Sequence, residues 1–531
     1  MMCNFGFIRP AMKIILVALI FIPTSALVAA ESRIIRPFES YDNCQPINEI
    51  DKIVMAGLKT KGIKPANLCS NEVFIRRVYL DINGTLPNAN NVRAFVRKTN
   101  PDKRAELIDK LLKNEEFADY WSLKWCDLLR VKAEFPINLW PNAVQAYHRW
   151  LHDAIRNNMP YDKFVREILT SSGSNFRVPQ VNFYRAIQGQ KPSAISTAVA
   201  LTFMGTRLGS WPEEKRDEME VFFSRLAYKE TEEWKEEIVY CNPSITEAVD
   251  AVFPDGAKVH IEPNQDRRKV FADWLIAGEN PWFARNIVNR IWSWLLGRGI
   301  IHEPDDIRKD NPAVYPELLE YLEKELVKSN YDLQHIYRLI LNSRTYQQSS
   351  IVQSDNPDAE KLFACYLVRQ LEAEVLADAI CKITGSTEFY SSVIPEPFTF
   401  IPKHNRSIEL ADGSITSQFL EMFGRPSRDT GLESERNNQP TNAQRLHLLN
   451  SSHVQKKIER SNRLKKMLKM AKHNRKKLIR MAYMEIISRN PTQEEIDSIL
   501  NYSKIKDINS WQAACDLIWA LVNSKEFLYR H

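Results

Sequence analysis

Glycine is scarce, at 16 of 531 residues, and cysteine is scarcer, at 8. The first shortage excludes a collagen-like or glycine-rich low-complexity chain, and the second excludes a dense disulfide scaffold. No Cys-x-x-Cys or Cys-x-x-Cys-His segment occurs, so no c-type haem site is expected. Gly-x-Ser-x-Gly, His-Glu-x-x-His, P-loop and Rossmann fingerprints are also missing. Beyond residue 30 no apolar run reaches the roughly 20 residues that a membrane-spanning helix needs, so no integral membrane span is expected there.

What is present is a folding composition, 44% hydrophobic and 26% charged, which excludes a wholly disordered chain. Leu, Lys, Glu and Ala favour helix. The length supplies more than one core, so two or three domains are expected. Lys13 precedes an apolar run from Ile14 to Ile22, followed by Pro23-Thr24-Ser25 and Ala26-Leu27-Val28-Ala29-Ala30. That order reads as a signal peptide over 1–30, cut after Ala30, with Met1 and Met12 both open as starts. A membrane anchor is the alternative, and the apolar run is short for one. The expected location is periplasmic or secreted. The net charge is +6, and without Arg9 and Lys13 it becomes +4. In an oxidising compartment Cys44 and Cys69 are a candidate bridge. Cys126, Cys365 and Cys515 fall in apolar helical patterns and read as core thiols.

Periodicity predicts a mainly α fold: two packed helical domains with long irregular loops and a small β element near 245–265. The divisions are an irregular 31–70, a first domain over 71–240, a linker over 241–266 with strands near Ala251–Phe253 and Lys258–Ile261, and a second domain over 267–531. The second domain includes a polar loop over 386–442 and a basic helix over 454–480. Phe117, Tyr120, Trp121, Trp125 and Leu128 share a helix face that suits a core. Helices are also expected over 193–208 and 366–383. Thr492 and Glu495 form a capping-box pattern. A weak repeat aligns Tyr79–Val96 with Tyr483–Leu500, so that Pro87 meets Pro491.

Three polar clusters are candidate sites. His302, Asp305 and Asp306 offer imidazole and carboxylate donors to a divalent metal; the alternative is a surface turn capped by an aspartate. In the run from Gly424 to Thr441, Arg425, Arg428, Arg436 and Asn437 suit sulfate, phosphate or uronate, and Asp429, Glu433 and Glu435 are the candidate catalytic acids. A structural salt network is the alternative there. Asn175, Tyr184 and Arg185 combine amide, aromatic and guanidinium, a sugar or peptide surface or an ordinary covering loop. His148 and His152 lie four apart without a third ligand and read as helix-face residues. Residues 454–480 hold twelve Lys or Arg and one acid, Glu459. Such a run suits an anionic glycan, an anionic lipid or nucleic acid, and export disfavours the last. The alternative is a solvated helix packed along the acidic remainder.

The stretch Arg76-Arg77-Val78-Tyr79-Leu80-Asp81-Ile82-Asn83-Gly84-Thr85-Leu86-Pro87, with Tyr161–Leu169 and Asn182-Phe183-Tyr184-Arg185, resembles the family DUF1549. Asn280–Trp292, Gly297-Arg298-Gly299, Pro304-Asp305-Asp306, Phe423–Arg428 and Gln444–Asn450 resemble DUF1553. The resemblance implies an exported protein of a family abundant in planctomycete-type bacteria, with no established activity. Members commonly carry Cys-x-x-Cys-His after a Phe-x-Gly stretch. Here Phe203-Met204-Gly205 runs into Gly209-Ser210-Trp211-Pro212 instead, so haem is not expected at that place. The functional expectation is an exported cell-envelope module that binds anionic polysaccharide or serves a structural role. The alternative is a hydrolase of charged or sulfated glycans with its site near the 424–441 loop.

Overall fold

The computed structural model describes residues 34–40, 44–472, 474–504 and 508–531; the signal-peptide segment lies outside them. The fold is mainly α, with three small antiparallel sheets. The helix Asn71–Asn83 starts where the Ser70 side chain accepts from the Val73 amide, and it is buried from Val73 onward. It stops at Gly84, which is left-handed at φ +59° and lies against Tyr120, where a Cβ would approach the ring to 2.5 Å. Only glycine combines that φ with that closeness. The helix packs on Ala89–Arg97, Lys103–Leu112 and the aromatic helix Glu115–Leu128.

The aromatic stripe of Glu115–Leu128 is a seam between the two halves. Trp121 meets Trp294 at 5.3 Å and Tyr337 at 4.6 Å, from the helices Phe283–Leu296 and Leu333–Asn342. One apolar core therefore runs through both halves. The repeated segments form matching helical corners, Asn71–Asn83 with Ala89–Arg97 and Arg475–Ile486 with Gln493–Tyr502. They touch where Arg76 Nη1 donates to the Ile486 carbonyl at 2.8 Å.

The linker forms a hairpin where strands were expected, Val249–Val252 against Lys258–Ile261, in the register Ala251 to Val259. Several other elements differ from the sequence reading. A second hairpin, Leu226–Glu230 against Glu237–Cys241, takes Gly173–Ser174 as a third strand inside the segment read as helical. Its flanking acids mask the alternation that marks a strand. The segment 193–208 is the helix Pro192–Val199 followed by a π-helical turn, Ala200–Met204. In 366–383 the helix begins at Ala373, because Arg369–Gln370 pairs as strand with Tyr529–Arg530. The polar loop 386–442 holds short helical turns at Ser407–Glu409, Gln418–Met422 and Glu433–Glu435. The basic segment is three helices, Ser452–Glu459, Asn462–Ala471 and Arg475–Ile486. Ser461 and Asn474 cap the second and third, accepting from the Leu464 and Lys477 amides, and these caps make the breaks. Cys44 and Cys69 are both free thiols, so the bridge is absent; Cys126, Cys365 and Cys515 are buried as expected.

Candidate functional site

The arginines of the 424–441 loop turn inward. Arg428 Nε donates to Asp127 Oδ1 at 2.9 Å, and its Nη1 donates to the Val131 and Ala411 carbonyls. Arg436 grips two carboxylates: its Nη2 lies 2.6 Å from Asp127 Oδ2, and its Nη1 lies 2.7 Å from Glu374 Oε2. Arg425 Nε stands 3.3 Å from Glu374 Oε1. Burial works against the Glu374 carboxylate, yet Arg436 and then Arg425 hold it below the ordinary range. Burial, then Arg428, lowers the Arg425 guanidinium to about 10. These three arginines form a buried salt network with Asp127 and Glu374, the structural alternative for this loop, and their burial keeps the guanidinium groups from a solvent-borne anion. Gly424 closes the loop under the Asn437 carbonyl, where a Cβ would sit 1.7 Å from oxygen.

The candidate acids divide. Glu435 ties the turn together, accepting from the Asp429 and Thr430 amides and from the Ser427 and Thr430 hydroxyls. Asp429 pairs with Lys132 at 2.7 Å beside an open pocket of about 420 Å³ that Arg130 also borders. Glu433 meets the other predicted cluster: its amide donates to Asp305 Oδ2 at 2.6 Å, and its carboxylate accepts from Trp294 Nε1 at 2.8 Å. Burial raises the Glu433 carboxyl. Asp305 is buried and ion-paired with Arg290 at 2.6 Å. Asp306 pairs with Arg308, and His302 is exposed. The loop and the His302–Asp306 turn thus converge, but through ion pairs. Among the described residues no group of three His, Cys, Asp or Glu is placed to hold a metal ion.

The third cluster is also internal. The Asn175 side chain accepts from the Glu237 amide and donates to the Lys235 carbonyl. Tyr184 is buried with its hydroxyl donating to the Leu169 carbonyl, and Arg185 pairs with Glu237 at 2.6 Å. These residues staple the strand Glu237–Cys241 to the helical body. His148 and His152 have ring centroids 6.2 Å apart, and His152 meets Asp119 at 3.1 Å.

Sequence reasoning missed a larger charged core. Asp81, fully buried, accepts from the Tyr346 and Tyr366 hydroxyls at 2.7 and 2.9 Å and pairs with Arg369 and Arg530. Glu372 pairs with Arg530 and with Lys124, the latter at 2.9 Å. Burial opposes the Glu372 charge, but Arg530 and Lys124 hold its pKa well below the ordinary value. The available signal was Arg76, Arg77 and Asp81 standing inside an otherwise apolar helix.

The basic segment is the charged surface that remains open. Of its twelve Lys and Arg, two pair with carboxylates: Lys457 with Glu388 and Arg463 with Glu485. The other ten are exposed and have no acidic partner among the described residues. Lys469, Lys472 and Arg475 rim a pocket of about 520 Å³ floored by Leu468, Leu478, Ile479 and Leu517. No helix of the described residues is long and apolar enough to cross a membrane.

With that geometry in place, the chain carries two domains of known families. Residues 49–225 match the model for a protein of unknown function, DUF1549, and residues 267–503 match the model for a protein of unknown function, DUF1553. The hairpin Val249–Val252 with Lys258–Ile261 falls between the two matches. No curated protein and no solved structure matches the chain.

Proposed function

We propose that this DUF1549–DUF1553 protein is an exported cell-envelope module that holds an anionic polysaccharide on the basic face of its 452–486 helices. The observation that carries the reading is the set of ten exposed Lys and Arg without acidic partners among the described residues, spread over three successive helices and their ends. Each such residue near an anionic surface contributes about 1 kcal/mol. Charges spaced over several turns suit a repeating polyanion better than one small ion. The N-terminal leader pattern supports export, and export disfavours nucleic acid as the polyanion. Hydrolysis at the 424–441 loop has less support, because Glu435 is bonded within its own turn and Asp429 is paired with Lys132.

The test is retention of the purified protein on an immobilised acidic polysaccharide at low salt. Changing Lys456, Lys465, Lys466, Lys469, Lys476 and Arg480 together to Gln is expected to weaken retention by at least about tenfold. Retention of the unaltered chain should also fall as salt rises. Undiminished retention of the six-fold variant, with its helical content intact, would sink the reading.

A further inference from the structure

A cleft of about 890 Å³ lies at the junction of the two family segments and belongs to none of the clusters above. Trp211 and Pro212, from the end of the first segment, face Trp282, Arg285 and the 307–313 stretch of the second. Its size falls in the range of small-molecule sites, and domain junctions are where such sites concentrate.

The lining has an unusual chemistry for an accidental gap. Trp211 and Trp282 are both partly exposed, with ring centroids 6.0 Å apart and planes at 42°. Among the described residues neither indole N–H has an acceptor within the chain, so each offers a flat apolar face and a free donor. Behind them the platform is fixed. Trp274 packs on Trp282 at 5.9 Å and on Phe253 at 5.1 Å, and its indole N–H donates to Asp255. Arg285 is clamped by Glu323 at 2.7 Å. Pro212, Pro254, Pro281, Pro312 and Pro316 wall the cleft, and their fixed φ angles limit the ordering that a ligand must impose.

The charges at the rim are unequal. Arg308 is shared by Asp306 and Asp310, and Asp255 accepts from the neutral Trp274 indole and keeps its charge. Lys309 is exposed without a carboxylate partner among the described residues, and Lys215 donates only to the Pro254 carbonyl, at 3.3 Å. Lys215 and Lys309, neither with a carboxylate partner among the described residues, stand at the rim of a tryptophan pair, which suits a ligand with apolar ring faces, hydroxyls and acidic groups. We propose that this cleft is a subsite for a short acidic oligosaccharide, its sugar rings on Trp211 and Trp282 and its carboxylate or sulfate groups on Lys215 and Lys309. The proposal does not depend on the basic helices, which are a separate surface.

The experiment is calorimetric titration of the full chain with oligogalacturonate, a chondroitin sulfate tetrasaccharide and neutral cello-oligosaccharide. The expected result is binding of at least one acidic oligosaccharide, weakened about tenfold or more by Trp211→Ala. The double variant Lys215→Gln, Lys309→Gln should lose the preference for acidic over neutral sugar. Trp211 is partly buried against the core, so the melting temperature of each variant is measured alongside, and a second variant, Trp211→Phe, which keeps a ring in place, should retain both the fold and part of the affinity. The six-fold basic-helix variant should bind the oligosaccharide as the parent does. No binding by the parent chain would overturn the proposal. So would parental affinity in Trp211→Ala, affinity lost only in the basic-helix variant, or binding of a proline-rich peptide in preference to every sugar.

Discussion

At the scale of single residues, an arginine in a polar loop has two opposed uses, and burial decides between them. Arg425, Arg428 and Arg436 share the Asp127 and Glu374 carboxylates, and Glu374 is fully buried. Removing one guanidinium leaves a desolvated carboxylate short of its partner, which costs about 3–5 kcal/mol in such settings. Arg436→Ala should therefore lower the denaturation midpoint strongly and open 386–442 to protease. Arg425→Ala should do so less, because it makes a single longer contact with Glu374. Parental midpoints and protease resistance in both variants would count against the network as the lock on this loop. The sequence showed alternating Arg and carboxylate and hence the two readings. It did not show that the partners are Asp127 and Glu374, which stand hundreds or tens of positions away.

At the scale of elements, local signals were legible wherever a cap or a period sets the structure. Thr492 and Glu495 form the capping box that their spacing predicts. Helices end at Gly84 and Gly297 in left-handed geometry, which glycine adopts without strain. The pair Arg369–Gln370 with Tyr529–Arg530 was not legible, because each strand is two residues long and its partner lies far along the chain. That short strand carries Arg530 between Asp81 and Glu372. Deleting residues 529–531 should cost up to about 3–5 kcal/mol, because it takes one of two cationic partners from each buried carboxylate and leaves Asp81 with Arg369 and Glu372 with Lys124, and Arg530→Lys should lose less. Denaturant unfolding of the two variants tests this. A deletion as stable as the parent would show that the charged core does not need Arg530.

At the scale of the whole molecule, the two family segments share one apolar core and one set of buried charges. Trp121 reaches Trp294 across the seam, Arg77 donates to the Tyr346 and Gln348 carbonyls, and Arg530 returns to Asp81. Separating the halves would expose both. Calorimetry should therefore show a single cooperative transition for residues of both segments. Two well-resolved transitions would contradict a shared core. The charge distribution also belongs to this scale. Residues 454–480 carry +11, so the chain without them and without 1–30 sums to −7, yet most of the basic side chains face solvent instead of that acid.

The sequence by itself determined the helical class, the main helix positions, the two-domain family order and the place of the basic segment. Those properties are set by neighbours a few residues apart, through period, caps and composition. Only the tertiary structure decided which charges are spent inside and which remain available. A carboxylate's partner is chosen by three-dimensional proximity, so Arg428 became a strut and Lys465 stayed exposed at the surface. The tryptophan cleft was decided there as well, since Trp211 and Trp282 come together only when the two segments pack.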